Sequence, residues 1–198
     1  EPITDSENDS ALRILRLVAQ EFCKRAGDMK TQELSNVLWA LATLGFGLDG
    51  DGCRSEVLAG NNYVVLRSDM HEQDRHLLEK ALQVFEKIAP SQLSRFRSQE
   101  LNNVAWSLAR LRNDELDKGR QKLVAQIGES ISDTQRFVTS QDVATTMWSF
   151  ATMGFKNDQV YRSMAYRLVP SQAARFKGQE LSNSVWALAT AQVELDQL

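Results

Sequence analysis

The sequence predicts an all-α fold, an α-solenoid of four stacked helix pairs with one loop insertion. A segment with the pattern Gln-(Glu/Asp)-x5-Trp-(Ala/Ser)-x-Ala occurs four times. The four tryptophans of the chain occupy the same position in each copy: Trp39, Trp106, Trp148 and Trp186. Their spacings of 67, 42 and 38 residues indicate a repeating helix pair and one insertion. Because such a stack grows by adding units, we interpret the chain as one repeat array.

Each copy is predicted to form one helix, the B helix of its unit. In the first copy, Leu34, Leu38 and Leu41 recur at helical spacing and define an apolar face. Hydroxyl residues just before three copies are expected to cap these helices by accepting a backbone N–H: Thr31, Ser98 and Ser140. Gly45 and Gly154 follow the last periodic positions and are expected to end their helices.

A second amphipathic stretch before each copy is predicted to form the A helix of the unit. These stretches are residues 11–26, 74–89, 118–131 and 158–169. Pro90 and Pro170 are expected to stop two of the A helices, because proline lacks the backbone N–H and clashes with the preceding turn. A short turn then leads to Phe96 or Phe176, three residues before the glutamine of the copy.

The acidic residues are concentrated outside the repeats. The net charge is −3, but residues 1–10 contain acids and no bases, and residues 47–74 contain more acids than bases. The rest of the chain is therefore net positive, which is compatible with a nucleic-acid partner. We divide the chain into an acidic N-terminal tail, residues 1–10, and a helical-repeat domain, residues 11–198, with a surface-loop insertion at about 47–73.

The sequence offers no convincing catalytic or ligand motif. No apolar run approaches the roughly 18 residues of a membrane span, so no membrane insertion is expected. Residues 45–50 match GxGxxG, but they follow a predicted helix instead of a strand. His71 and His76 lack Cys or carboxylate companions at zinc-site spacing. We therefore expect no enzyme activity, no cofactor, no metal and no small-molecule substrate.

Two positions that recur among the copies have alternative interpretations. A tryptophan that recurs in a helix is expected to pack between neighbouring units, and base stacking is the alternative. An asparagine three residues before it recurs in three copies, as Asn36, Asn103 and Asn183, with Thr145 in the third. A buried amide needs hydrogen-bond partners, so these side chains are expected to bond along the stack or to a connector, or else to read RNA bases.

Basic residues recur just ahead of each copy. They are Lys30, Arg95, Arg97, Arg136, Arg175 and Lys177. Stacking the units would align them beside the B-helix N-termini, where the helix dipole also favours anions, and a phosphate backbone could follow this edge. The alternative is a solvated edge whose cations pair with Glu33, Glu100 and Glu180.

The recurring Gln-Glu-Leu-(Ser/Asn)-Asn-x-x-Trp-(Ala/Ser)-Leu-Ala-Thr unit resembles the octotricopeptide repeat family and related RAP-associated helical repeats of organellar proteins. The resemblance covers most of the chain outside residues 1–10 and 47–73, although residues 142–145 of the third copy depart from the pattern. It implies a right-handed stack of helix pairs, residence in a mitochondrion or plastid, and RNA binding.

We therefore expect a non-catalytic RNA-binding protein of organellar RNA metabolism or translation, acting within a larger ribonucleoprotein. The alternative is a protein-interaction scaffold, a subunit of a large organellar complex without direct RNA contact. Protein subunits of a larger complex are expected partners in both cases.

Overall fold

The computed structural model describes residues 5–43, 72–111, 118–132 and 139–194. Within these ranges the chain is built from α-helices joined by short turns, which confirms the predicted all-α fold. The helices are α1 (Asp5–Arg25), α2 (Thr31–Thr43), α3 (Glu72–Ile88), α4 (Ser98–Arg110), α5 (Lys118–Ser132), α6 (Ser140–Thr152), α7 (Asp158–Ser163), α8 (Val169–Gln172) and α9 (Gly178–Thr190).

The helices form two layers. The predicted B helices α2, α4, α6 and α9 pack side by side in chain order. The A helices form the second layer, in which α1 contacts α3, α3 contacts α5, and α5 contacts α7. We refer to the four successive A and B pairs as units 1 to 4. This arrangement confirms the predicted stack of helix pairs.

Apolar side chains at helical spacing hold the two layers together. Phe22 and Phe85 on the A helices are fully buried, as are Leu34, Leu108 and Phe150 on the B helices. All five belong to one hydrophobic cluster that runs through the stack. Because neighbouring units bury apolar side chains against each other, the array has one continuous core.

Two ion pairs join successive A helices. Arg16 of α1 makes a two-pronged contact with Asp74 of α3, with Nε to Oδ1 at 2.5 Å and Nη2 to Oδ2 at 2.7 Å. Arg120 of α5 contacts Glu86 of α3, with Nε to Oε1 at 2.6 Å. The Asp74 side chain and both side chains of the second pair are largely shielded from solvent. These carboxylates therefore contribute to the contacts between units.

The acidic segments contribute to two helices. Helix α1 begins at Asp5, so it includes residues 5–10 of the acidic N-terminal segment. Helix α3 begins at Glu72, two residues before the predicted start, and includes the buried Asp74. The rest of the insertion, residues 47–71, lies outside the described residues.

The fourth A helix departs from the prediction at Pro170. Helix α3 does end at Ile88, just before Pro90, as expected. Pro170, by contrast, lies inside α8, and the helix continues to Gln172. The π-helical segment Met164–Leu168 precedes it, and the Val169 N–H donates to the Met164 carbonyl oxygen five residues back. A widened turn relieves the clash between a proline ring and the carbonyl of the preceding α-turn, so the helix is not interrupted.

The end of α6 confirms the role predicted for Gly154. This glycine has φ +68, the left-handed conformation that favours glycine. The Phe155 N–H donates to the Phe150 carbonyl oxygen at 3.0 Å and closes the helix end. The fourth copy repeats this bond from Val193 to Leu188, at 3.2 Å, with Gln192 at φ 56 in the glycine position. Gly45 lies outside the described residues.

Candidate functional site

The N-terminal ends of the B helices are built in a common way. A 3-10 turn precedes three of them: Ala26–Asp28, Ala89–Arg95 and Ala173–Arg175. The next residue packs onto the hydrophobic cluster in each case. Phe96 is fully buried there, and Met29 and Phe176 are partly buried. This apolar anchor fixes where the chain turns, and a basic residue follows it directly in each case.

The capping residues lie one position earlier than predicted. Helix α4 is preceded by Arg97, with φ −79 and ψ 161, and α9 by Lys177, with φ −78 and ψ 161. Ser98, Ser140 and Thr31 are the first helical residues instead of caps. Only at α6 does a hydroxyl side chain cap the helix, where the Asp142 N–H donates to Thr139 Oγ1 at 3.1 Å.

A first-turn carboxylate compensates for the missing hydroxyl caps. The backbone N–H groups of the three cationic residues donate to glutamate Oε2 atoms at 2.9 Å: Lys30 to Glu33, Arg97 to Glu100 and Lys177 to Glu180. In α6 the Thr139 N–H donates to Asp142 Oδ2 at 3.0 Å. These carboxylates place a negative charge at the helix N-termini, which weakens the predicted attraction of the dipole for a bound anion.

The predicted pairing of the cations with Glu33, Glu100 and Glu180 is therefore not the one that forms. Within the described parts of the chain, the glutamates bind the backbone, and no ion pair joins them to the basic side chains. The basic side chains that the structure describes are all exposed: Lys30, Arg95, Arg97, Arg175 and Lys177. Because the B helices pack side by side, their N-termini bring these side chains to one edge of the stack, which we call the basic edge. Arg136 lies outside the described residues.

An open groove of about 830 Å³ lies on the basic edge between the N-terminal ends of α4 and α6. Its unit 2 side includes Arg95, Arg97 and the amides of Gln99 and Asn103. Its unit 3 side includes Thr139, Gln141 and Asp142. The groove thus combines two cations with amide and hydroxyl groups that can donate or accept hydrogen bonds. Three residues predicted for the site, Arg95, Arg97 and Asn103, meet here.

The recurring asparagines do not pair along the stack as predicted. Asn36 is exposed, Asn103 and Asn183 are partly buried, and their amides form no hydrogen bond with the described residues. Asn102, one position earlier, instead joins units 2 and 3, because the buried Thr146 Oγ1 donates to Asn102 Oδ1 at 3.3 Å. The repeat pattern does not predict this bond, since Asn102 recurs in none of the other copies.

Two of the tryptophans contact each other across neighbouring units, and none of the four is fully buried. The rings of Trp39 and Trp106 are 6.5 Å apart, which confirms the predicted contact between units 1 and 2. Arg110 lies over Trp106, with Cζ 5.7 Å from the ring centroid. Small residues allow the close approach of the B helices, and Ser107, Ser149 and Ala187 are fully buried. Trp39 and Trp186 remain exposed, so base stacking is still available to them.

Within the described residues, no helix is both long and apolar enough to cross a membrane.

Comparison with known protein families gives a match over the first three units. The family described as the Tbc2 translation factor N-terminal domain matches residues 26–156, which include the groove and both of its flanking helices. Neither a curated protein nor a solved structure matches the chain. The match agrees with the octotricopeptide resemblance at the level of a helical, translation-related domain. Since it covers more than half of the sequence, the chain belongs to the Tbc2 translation factor N-terminal domain family.

Proposed function

We propose that this domain is a non-catalytic RNA-binding module that acts in translation in a mitochondrion or plastid, within a larger ribonucleoprotein. The observation that supports this proposal most is the basic edge, where five described basic side chains are exposed at the B-helix N-termini. Membership of a translation factor family supports a role in translation.

The chemistry of the groove suits a single-stranded RNA. Arg95 and Arg97 can bind phosphate, because the carboxylate nearest in sequence, Glu100, is buried and bonded to the backbone. Gln99, Asn103 and Gln141 supply amides for base edges that a single strand leaves unpaired. The unit 3 side has Thr139 in place of a basic cap, so we place the strongest phosphate contacts on unit 2.

The proposal predicts that the basic edge dominates RNA affinity. We would replace Arg95, Arg97, Arg175 and Lys177 with alanine and measure binding of a fluorescent single-stranded oligoribonucleotide at several salt concentrations. Loss of four phosphate contacts is expected to weaken binding by at least about tenfold and to flatten the dependence of affinity on salt.

The matched control removes the same number of charges from the A layer. Arg13, Lys80, Lys87 and Lys122 are exposed on the A helices α1, α3 and α5. Their replacement with alanine is expected to reduce affinity much less. Equal losses for the two variants, or unchanged affinity for the basic-edge variant, would contradict the proposal.

A protein-interaction scaffold without RNA contact is the second proposal. It is favoured by large apolar side chains that are exposed on the first and last units, such as Leu17 and Val185. Purification from the native source with and without nuclease separates the two proposals. Stoichiometric protein partners that survive nuclease, together with no bound RNA before it, would favour the scaffold.

A further inference from the structure

The groove between α4 and α6 has two walls of different charge. The unit 2 wall includes the exposed cations Arg95 and Arg97. The unit 3 wall includes the carboxylate of Asp142 and the uncharged Thr139, which takes the place of a basic residue before α6. An RNA phosphate is attracted by the first wall and repelled by the second. A nucleotide bound in this groove is therefore oriented with its phosphate on unit 2 and its base towards unit 3.

The carboxylate of Asp142 is held in place and keeps one oxygen for a ligand. Its Oδ2 accepts the Thr139 backbone N–H at 3.0 Å, and the Asp142 backbone N–H donates to Thr139 Oγ1 at 3.1 Å. Oδ1 accepts no hydrogen bond from the part of the chain that the structure describes. The side chain is partly buried and lines the groove. Asp142 thus offers an acceptor in a fixed position to a base on the unit 3 wall.

The other polar side chains of the unit 3 wall are less selective than Asp142. The Gln141 amide is exposed, and both this amide and the Thr139 hydroxyl can donate as well as accept hydrogen bonds. They therefore adapt to donors or to acceptors on a base edge. An ionised carboxylate, by contrast, only accepts. Asp142 is thus the group on this wall that distinguishes one base from another.

We propose that the groove prefers an RNA base with an exocyclic amino group to uracil, an inference that rests on the proposed RNA-binding function. Cytosine, adenine and guanine each carry an amino N–H that can donate to Asp142 Oδ1, as the cytosine amino group does to aspartate in DNA recognition. Uracil has a carbonyl oxygen on each side of N3, and these oxygens repel the carboxylate. The unpaired base edges of a single strand are open to this contact.

Two pyrimidine oligoribonucleotides of equal length test this inference. Cytosine and uracil have the same ring, but cytosine carries an amino group where uracil carries a carbonyl oxygen. Binding of fluorescent oligocytidine and oligouridine to the full chain is measured at neutral pH and at one salt concentration. We expect oligocytidine to bind at least about fivefold more tightly, the lower end of the discrimination that one matched base contact gives. Equal affinities, or tighter binding of oligouridine, would overturn the inference.

The Asp142→Asn variant changes the proposed base contact without removing the helix cap. One oxygen remains to accept the Thr139 N–H, and the new amide N–H can donate to a uracil carbonyl oxygen. The variant is expected to bind the two oligonucleotides with nearly equal affinity. Asp158→Asn makes the same change in the first turn of α7, outside the groove, and is expected to keep the wild-type ratio. An Asp142→Asn variant that keeps that ratio would also contradict the inference.

The outcomes distinguish this inference from the proposed function. If the wild type binds both oligonucleotides equally and the four-alanine variant of the basic edge binds both more weakly, RNA binding stands and the base preference is wrong. If the wild type binds neither oligonucleotide, both proposals are wrong. Thermal unfolding shows whether Asp142→Asn is folded. If it is not, Asp142→Gln takes its place in the same measurements, because glutamine also occurs in capping boxes.

Discussion

At the residue scale, the buried hydroxyl of Tyr161 contributes to the stability of unit 4. Its side chain is fully buried, and its hydroxyl donates to the Phe155 carbonyl oxygen at 3.2 Å. Burial raises the pKa of Tyr161 well above its usual value, because the phenolate would be removed from water. The residue thus ties the turn after α6 to the start of α7.

This pKa shift predicts a loss of stability in alkaline solution. An unfolded tyrosine loses its proton near pH 10, whereas folded Tyr161 keeps it, so the free energy of unfolding falls as pH rises above about 10. Tyr161→Phe is expected to lower stability by about 1 kcal/mol at pH 7 through the lost hydrogen bond. Urea unfolding at pH 7 and at pH 10 to 11 measures the free energy of unfolding of the wild type and of Tyr161→Phe. The difference between the two proteins is expected to be smaller at the higher pH. Parallel pH profiles would contradict this explanation.

The hydrogen-bond partners of single residues could not be predicted from the sequence. The position of each basic residue follows from the repeat, but the spacing alone could not show that Glu100 bonds to the Arg97 backbone instead of its side chain. Similarly, Asn103 recurs in the copies and Asn102 does not, yet it is Asn102 that accepts the hydrogen bond from Thr146 between units 2 and 3. Such choices depend on distances of a few tenths of an ångström, which a residue pattern does not contain.

At the element scale, α3 is held between its neighbours by two ion pairs that point in opposite directions. Asp74 reaches α1 and Glu86 reaches α5. These pairs set the register of the A helices where the apolar pattern alone would allow sliding. Charged pairs with little exposure tolerate the removal of one partner poorly, because the other charge stays buried.

Glu86→Gln is therefore expected to lower the free energy of unfolding by about 3 kcal/mol, because the Arg120 cation would lose its charged partner. Urea unfolding monitored by circular dichroism measures the loss. The matched control is Glu21→Gln, which breaks the exposed Lys24–Glu21 pair of α1 and is expected to change little. Similar effects of the two substitutions would show that burial of the pair does not matter.

Helix positions were largely predictable, and their ends were less so. The periodic apolar residues located all four B helices, because each copy repeats one apolar stripe. The A-helix starts were less accurate, since α1 and α3 both begin with acidic residues that composition alone assigns to loops. The helix end predicted at Pro170 was wrong for a physical reason, because the residue pattern does not contain the π turn that accommodates the proline ring.

At the scale of the whole molecule, the two-layer stack separates the hydrophobic core from the proposed RNA-binding edge. The A layer and the apolar stripes of the B helices hold the array together, and the B-helix N-termini form the basic edge. The repeat pattern predicted the stack and aligned the basic residues. It could not predict the groove between α4 and α6, because the groove depends on how neighbouring units fit.

The central claim is that RNA lies along the basic edge and enters the groove between α4 and α6. The most direct measurement is photo-crosslinking of the full chain to single-stranded RNA containing 4-thiouridine, followed by mass spectrometry of the crosslinked peptides. We predict crosslinks within residues 94–103 and 139–142, the segments that line the groove. Crosslinks confined to the A helices, or none above the level of a non-binding control protein, would contradict the account.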